Sequence, residues 1–258
     1  MEKSVSNRIY QLAESLGMSD GLTTRVMSIT EAQRAKHSQY WENVLNHRGV
    51  KLTKEISNIK ISYQEATQEF KKLRLNRGIE LAKLDPSFKW IFTPEDVYAI
   101  DNLLRYFIDD YSIFNPSKGV LLYSNPGVGK SEFMSLLSEF TNNVGLQKKF
   151  EYSNMTTEYT NAKSDKEYNA ITKLTQKNRL LDEFLYLDGD VNNFGNKINI
   201  NEVVIYERDI RHSKSGQLTH ICTNLTPLEI ALKLNSRIMD RLKKLCTFFH
   251  WEGESKRG

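Results

Sequence analysis

The sequence is poor in the residues that mark disulfide-stapled, membrane-spanning and low-complexity proteins. It has two cysteines and five prolines in 258 residues. Both cysteines, Cys222 and Cys246, stand in apolar segments, which favours reduced, buried thiols. No run of about 18 apolar residues predicts a transmembrane helix. The first residues lack a basic segment followed by an apolar one, so no secretory signal is expected. We therefore predict a cytoplasmic protein that has no membrane partner.

What is present is the composition of an ordinary globular chain with an uneven charge distribution. Hydrophobic residues make up 39% and charged residues 26% of the sequence, which is enough for a buried core. The net charge is +4, and residues 1–90 carry it, because they hold 15 of the 36 Lys and Arg but 10 of the 32 Asp and Glu. This excess is compatible with nucleic-acid binding and equally with a solvated helical surface.

Sequence periodicity divides the chain near residue 90. Up to about residue 85, apolar positions recur at helical spacing and glycine is sparse, which predicts three or four helices. The segment Thr93-Pro94-Glu95-Asp96 has the composition of a helix start. Beyond it, apolar strands alternate with amphipathic helices, the pattern of a parallel sheet covered by helices. We predict an N-terminal helical, partner-binding domain over 1–90 and an α/β domain over 91–258.

The strands and helices of the α/β domain are expected in regular alternation. Strands are predicted at 119–123, 148–154, 184–190, 219–225 and 247–253, and helices at 130–143, 168–177, 199–212 and 226–245. Thr226 and Glu229 have the spacing of a capping box at the start of the last helix. The expected fold class is α/β, with a parallel five-stranded sheet flanked by helices.

The segment SNPGVGKSE, residues 124–132, has the pattern of a phosphate-binding loop. It follows one predicted strand and opens a predicted helix, the context in which backbone N–H groups converge on an anion. Lys130 would neutralise the β- and γ-phosphates, and Ser131 would ligate Mg²⁺. Ser124 stands where the pattern usually has glycine, at a position that need not touch phosphate. The expected nucleotide-contacting residues are Asn125, Pro126, Gly127, Val128, Gly129, Lys130, Ser131 and Glu132.

A site of this kind also needs a carboxylate at the end of a neighbouring strand, to hold the water shell of Mg²⁺. Asp188 ends the apolar part of the predicted strand 184–190, and we assign it this metal-holding role. The acid that normally follows, and polarises the attacking water, is replaced by Gly189. Either Asp190 takes that place, or hydrolysis is slow, or the protein binds ATP as a switch. The pair Asp182-Glu183, which precedes this strand, is expected at the surface.

Two further polar positions complete the predicted catalytic set. Asn224, at the end of the strand 219–225, would sense the γ-phosphate, unless it merely caps a turn. Arg237 and Arg241 lie four residues apart and so share one helix face. An arginine presented to a neighbouring subunit's γ-phosphate is a recurrent catalytic device, and a pair of ordinary surface arginines is the alternative. The catalytic candidates are Lys130, Asp188, Asp190, Asn224 and Arg237.

These segments, in this order, resemble the AAA+ ATPases of the DnaC/IstB group, which comprises helicase loaders and transposition helper ATPases. The resemblance covers roughly residues 96–258 and rests most on THICTNL, SRIMDRL and GESKR. It implies an AAA+ P-loop core with ATP and Mg²⁺ as cofactors, and a homo-oligomer. It also implies Arg237 as an arginine finger in trans, Arg241 as its companion and Arg257 as a nucleotide-sensing residue.

The resemblance implies a helicase loader, which delivers a hexameric replicative helicase and binds DNA, single-stranded in preference to double-stranded. The N-terminal segment would contact the helicase. The alternatives are a transposition helper that contacts a transposase and a non-hydrolysing, ATP-gated adaptor. Four basic residues of one predicted helix are compatible with DNA or an acidic partner, and also with a solvated helix face. They are Lys71, Lys72, Arg74 and Arg77.

Overall fold

The computed structural model describes residues 60–164, 169–193 and 196–256. The helices are α1 (Tyr63–Leu84), α2 (Pro94–Phe107), α3 (Lys130–Val144), α4 (Met155–Ser164), α5 (Asn169–Thr175), α6 (Ile200–Ser215), α7 (Pro227–Lys233) and α8 (Ser236–Leu245). The strands are β1 (Gly119–Tyr123), β2 (Glu151–Asn154), β3 (Arg179–Asp182), β4 (Asp190–Asn193), β5 (Asn196–Asn199), β6 (Thr219–Thr223) and β7 (Cys246–His250). The helices predicted before residue 60, and Arg257, lie outside the described residues.

The described chain divides into two compact units. One holds residues 60–115 and 139–149, and the other holds residues 116–138 and 150–256. In the first unit, α2 begins as predicted: Thr93 is the N-cap, Pro94 is in the first turn, and the side chain of Asp96 closes a capping box at 2.7 Å from the Thr93 nitrogen. The partner-binding role of residues 1–90, and their boundary, stay predictions.

Three of the four basic residues of α1 are engaged within the first unit, one of them Lys72, whose Nζ lies 2.6 Å from Oε1 of Glu69. Arg74 is buried against aromatic rings, and Nη2 of Arg77 lies 3.1 Å from Oε2 of Glu139. Lys71 and Lys72 are exposed. The helix therefore presents Lys71 and Lys72 to solvent, the latter paired with Glu69, and uses Arg74 for packing and Arg77 for pairing.

The second unit is built on a five-stranded parallel sheet in the order β2-β3-β6-β1-β7. The strand β1 lies between β6 and the edge strand β7. It pairs with β6 through Leu121 and Ile221, and with β7 through Leu121 and Phe248. All residues of β3 and β6 are buried, as expected for strands covered on both faces. The predicted fold class, a parallel five-stranded α/β sheet flanked by helices, is confirmed.

The third strand of the sheet is not where the sequence predicted it. The strand is Arg179–Asp182, and residues 183–187 form turns and bends instead of the predicted strand 184–190. The backbone of Glu183 and Leu185 is left-handed, with φ of 54° and 62°, which no strand can accommodate. Phe184 and Leu185 are nevertheless buried. These apolar residues fill the core from a turn, and for that reason the segment resembles a strand in sequence.

Two further elements differ from the prediction. The helix expected over 226–245 is divided into α7 and α8, because the side chain of Asn235 accepts a hydrogen bond from the Ile238 nitrogen and starts a new helix. The predicted capping box of Thr226 and Glu229 is confirmed. An antiparallel hairpin, β4–β5, was not predicted.

The state of the two cysteines and the length of the helices relate to the predicted cellular location of the protein. Cys222 and Cys246 are free and buried, as expected, and burial raises the pKa of the Cys246 thiol to about 12. Across the described ranges, every helix is too short or too polar to cross a bilayer. The cytoplasmic location stays a prediction.

Candidate nucleotide site

The predicted phosphate loop connects β1 to α3 in the second unit. Gly127 and Gly129 have φ of 87° and 107°, a left-handed conformation that glycine adopts without steric cost. The helix α3 begins at Lys130, and the Phe133 nitrogen donates to the Gly129 carbonyl oxygen at 3.1 Å. The N-terminus of α3, a helix of 15 residues, therefore directly follows the two glycines. This arrangement favours the binding of an anion.

Lys130 is buried within this loop and is held by polar partners. Its Nζ donates to Oγ of Ser124 at 2.6 Å and to Oδ1 of Asn224 at 3.0 Å. The serine that replaces the usual glycine therefore has a contact of its own, because its hydroxyl orients the lysine. The structure brings Lys130, at the start of α3, together with Asn224, which follows β6; the γ-phosphate-sensing role of Asn224 stays a prediction.

The carboxylate beside the loop is Asp182, the last residue of β3. Oγ of Ser131 donates to Oδ1 of Asp182 at 2.9 Å, and the phenol of Tyr152 donates to Oδ2 at 2.5 Å. Asp182 is 2% exposed. Burial, and then the hydrogen bond to this carboxylate, raise the pKa of Tyr152 well above its ordinary value, so the phenol stays protonated and remains a donor.

Asp188, the predicted metal residue, is not at this position. Its side chain is 89% exposed, and its nearest charged partner is Lys233, with 3.4 Å between Oδ1 and Nζ. The assignment failed because the predicted strand is a turn, so Asp188 does not follow a strand of the sheet. The expectation that Asp182 lies at the surface was wrong for the same reason.

Gly189 and Asp190 belong to the turn that enters the β4–β5 hairpin. Gly189 has φ of 82°, and a Cβ there would lie 2.3 Å from Nδ2 of Asn201, so the turn requires glycine. Oδ1 of Asp190 accepts from Nδ2 of Asn199 at 3.1 Å. The turn therefore accounts for glycine at position 189, and the carboxylate of Asp190 makes a local contact within the turn.

The acid that directly follows the strand-end aspartate is Glu183. Its Oε2 accepts from Nδ2 of Asn154 at 3.0 Å and from Oγ1 of Thr156 at 2.9 Å. Asn154 ends β2, the neighbouring strand, so two donors from one adjacent segment hold the carboxylate. The left-handed backbone of Glu183 is uncommon for a non-glycine residue and often marks a functional position.

The three predicted arginines have different surroundings. Arg237, in the first turn of α8, is exposed, and among the described residues its guanidinium makes no hydrogen bond or ion pair. Arg241 lies with Nε 3.4 Å from Oδ2 of Asp209, and its guanidinium is 4.8 Å from the ring centroid of Tyr206. Arg241 is thus held by contacts within the chain, while Arg237 is exposed to solvent. Arg257 lies outside the described residues.

The oxygen donors of Ser131 and Asp182 fit a Mg²⁺ ion. Magnesium in nucleotide sites is bound by one or two protein oxygens and completes its shell with phosphate oxygens and water. In the part of the chain that the structure describes, no cluster of three or more His, Cys, Asp or Glu could hold a metal. A hydroxyl and a buried carboxylate 2.9 Å apart therefore suit a metal that arrives with a phosphate.

Comparison with known proteins gives matches among solved structures alone. No family model and no curated protein matches the sequence. A proposed primosome component from Streptococcus pyogenes serotype M3 matches with a TM-score of 0.47 and 18% identity, over 63% of this chain and 82% of that one. The DnaC helicase loader matches with a TM-score of 0.43 and 17% identity, over 66% of this chain and 96% of that one. At this identity the likeness concerns the fold alone.

Sequence reasoning missed the acids Asp182 and Glu183 and the side chains that hold them. A signal for the acids was present, because Leu180 and Leu181 are followed directly by an aspartate and a glutamate. That is the order expected of a strand-end pair in a phosphate-loop protein. Tyr152 and Asn154 carried no such signal, since their contacts depend on the pairing of β2 with β3.

Proposed function

We propose that this chain is an ATPase of the helicase-loader type, with its nucleotide site between the phosphate loop and the pair Asp182-Glu183. The observation that carries the proposal is the hydrogen bond of 2.9 Å between Ser131 Oγ and Asp182 Oδ1. It joins the two parts that such a site requires, a phosphate loop with its hydroxyl and a carboxylate at a neighbouring strand end. The next residue, Glu183, supplies the acid that appeared to be missing.

In this proposal the chain's own groups bind, position and activate. The N–H groups of the loop and the ammonium of Lys130 bind the phosphates. Mg²⁺ bound with the nucleotide, beside Ser131 and Asp182, would neutralise charge on the β- and γ-phosphates. Glu183 orients the attacking water and accepts its proton. Asn224, whose Oδ1 lies 3.0 Å from Lys130 Nζ, is placed to respond to the γ-phosphate.

The hydrogen bonds of Glu183 make its activity conditional. While Asn154 and Thr156 donate to its Oε2, this oxygen is engaged and is not free to accept a hydrogen bond from water. A movement of β2 that withdraws these donors would free it to take a proton. This arrangement supports a protein whose hydrolysis depends on its state, as a loader requires, and it weakens the case for a non-hydrolysing adaptor.

The phosphate-loop assignment is tested by Lys130→Ala. We expect the affinity for ATP to fall at least about tenfold, because a buried cation that makes charge-assisted contacts to phosphate is removed. Binding of a fluorescent ATP analogue to the purified protein measures this. Lys214→Ala is the matched control, since Lys214 is exposed on α6. Unchanged affinity in Lys130→Ala would overturn the site.

Arg237 is proposed to act in trans on a nucleotide bound by the neighbouring subunit. We expect the turnover per subunit of wild-type protein to rise with protein concentration. We expect Arg237→Ala to bind ATP normally but to lose this rise. The reason is that an exposed guanidinium without partners in its own subunit reaches a γ-phosphate only across an interface. Lys243→Ala, a cation substitution on the same helix, is the control. A normal concentration dependence in Arg237→Ala would contradict the finger role.

The partners are proposed from the resemblance: a replicative helicase, contacted through residues 1–90, and DNA, single-stranded in preference to double-stranded. Capture by the full chain, with ATP and without it, tests this. A hexameric helicase retained in an ATP-dependent manner supports the loader. Capture of a transposase would support the transposition helper instead.

A further inference from the structure

The last described residues, 251–256, here called the tail, lie against the phosphate loop. The tail leaves β7 in a fixed direction, because the Trp251 nitrogen donates to the Tyr123 carbonyl oxygen at 3.0 Å. The indole of Trp251 is fully buried and stacks on the ring of Phe133, with 5.8 Å between centroids and 26° between planes. Phe133 lies in the first turn of α3, so the tail is anchored beside the start of that helix.

Lys256 donates to two consecutive carbonyl groups of the loop. Its backbone nitrogen donates to the Gly127 carbonyl oxygen at 3.0 Å, and its Nζ donates to the Val128 carbonyl oxygen at 2.8 Å. The approach is close, because a Cβ on Gly127 would lie 2.3 Å from Oγ of Ser255. Lys256 thus occupies two carbonyl oxygens of the loop that is proposed to bind phosphate.

These contacts fix the direction of the loop's donors. A peptide unit is planar, and its carbonyl and N–H point in opposite directions. Holding the Gly127 carbonyl therefore orients the N–H of Val128 away from the tail, and holding the Val128 carbonyl orients the N–H of Gly129 likewise. Successive N–H groups that point to one side form a concave anion site. The ammonium of Lys256 also polarises the Val128–Gly129 peptide, which strengthens that N–H as a donor.

We propose that Lys256 is a positioning residue, which holds the phosphate loop in its anion-binding conformation through the Gly127 and Val128 carbonyls. The ligand class is a nucleoside diphosphate or triphosphate, and in this respect the inference rests on the proposed function. The loop's glycines make it deformable in the absence of such a restraint. The tail supplies the restraint through the loop's carbonyl groups and leaves its N–H groups for an anion.

The test compares Lys256→Met with Lys256→Arg, and uses Lys214→Met as a control for the loss of one exposed positive charge. With a fluorescent ADP analogue, we expect Lys256→Met to bind about tenfold more weakly, because a charge-assisted hydrogen bond to the loop is lost. Lys256→Arg is expected within about twofold of wild type, since a guanidinium can donate to the same carbonyl. Lys214→Met should equal wild type. Wild-type affinity in Lys256→Met would overturn the proposal.

A second readout needs no nucleotide and separates this inference from the proposed function. In nucleotide-free protein, we expect the loop amides at 127–130 to exchange hydrogen faster in Lys256→Met than in wild type or Lys256→Arg. Exchange at an unchanged rate would overturn the positioning role even if ADP binds. If wild-type protein binds no nucleotide at all, the proposed function fails, and the exchange rates still decide whether Lys256 restrains the loop.

Discussion

Glu183→Gln is expected to leave ATP binding intact and to slow ATP hydrolysis by about 100- to 10,000-fold, the range for removal of a general base. The amide keeps the size of the side chain and can still accept hydrogen bonds from Asn154 and Thr156, so the fold and the phosphate loop are not disturbed. It cannot accept a proton from water at neutral pH. Single-turnover hydrolysis and equilibrium binding of ATP, measured on the same preparation, separate the two effects.

Asp190→Asn is the matched control for this prediction, because the sequence alone names Asp190 as the substitute acid. In the structure, the carboxylate of Asp190 accepts a hydrogen bond from Asn199 instead. We expect Asp190→Asn to hydrolyse ATP within about threefold of wild type, since the change is one of local hydrogen bonding. Loss of hydrolysis in Asp190→Asn together with normal hydrolysis in Glu183→Gln would reverse the assignment and restore the first interpretation.

The parts of the site that sequence predicted are those defined by local pattern. The phosphate loop, with Lys130 and Ser131, depends on the order of a strand, two glycines and a helix, and all three are adjacent in the chain. Asn224 was expected beside the phosphate loop, because the ends of neighbouring parallel strands meet at one edge of a sheet, and it contacts Lys130. The capping boxes and the five-stranded sheet follow from similar short-range signals.

The strand-end acids were misplaced for a physical reason that sequence does not reveal. Both RLLD and FLYLD are apolar runs that end in aspartate, and hydrophobic pattern cannot decide between them. The decision depends on the left-handed backbone at Glu183 and Leu185, which propensity disfavours at non-glycine residues. In the folded chain, burial of Phe184 and Leu185 within the core compensates for that conformation.

The contacts that tune the site were beyond prediction because they join distant segments. Tyr152 reaches Asp182 only once β2 has paired with β3. Lys256 reaches Val128 across 128 positions of sequence. Tyr152 belongs to no motif, and Lys256 stands in GESKR at a position to which the sequence assigned no role. In each case a single hydrogen bond, formed by the tertiary structure, attaches an unremarkable side chain to a residue that sequence pattern does identify.

Asp182→Asn should abolish the dependence of ATP binding on Mg²⁺. It should also reduce the rate of ATP hydrolysis by about 100- to 1,000-fold, the range for removal of one preorganised charged group. The neutral amide cannot hold the water shell of a cation as a carboxylate does. The substitution keeps an oxygen acceptor for Ser131 or Tyr152, so the folded structure should persist. Wild-type protein is expected to bind ATP more tightly with Mg²⁺ than with a chelator, and Asp182→Asn to bind equally in both.

Asp188→Asn provides the comparison, because the two aspartates are six positions apart and each ends an apolar run. The carboxylate of Asp188 is largely exposed and makes one long ion pair, with Lys233. An exposed pair of this kind contributes about 0–1 kcal/mol to stability, so Asp188→Asn should retain both hydrolysis and the effect of Mg²⁺. If Asp188→Asn loses the Mg²⁺ effect and Asp182→Asn keeps it, the metal carboxylate belongs to the turn. If Asp188→Asn keeps the Mg²⁺ effect and Asp182→Asn loses it, the metal carboxylate is Asp182 at the end of β3. There, burial and the hydroxyl of Ser131 already hold a carboxylate oxygen in place for a cation.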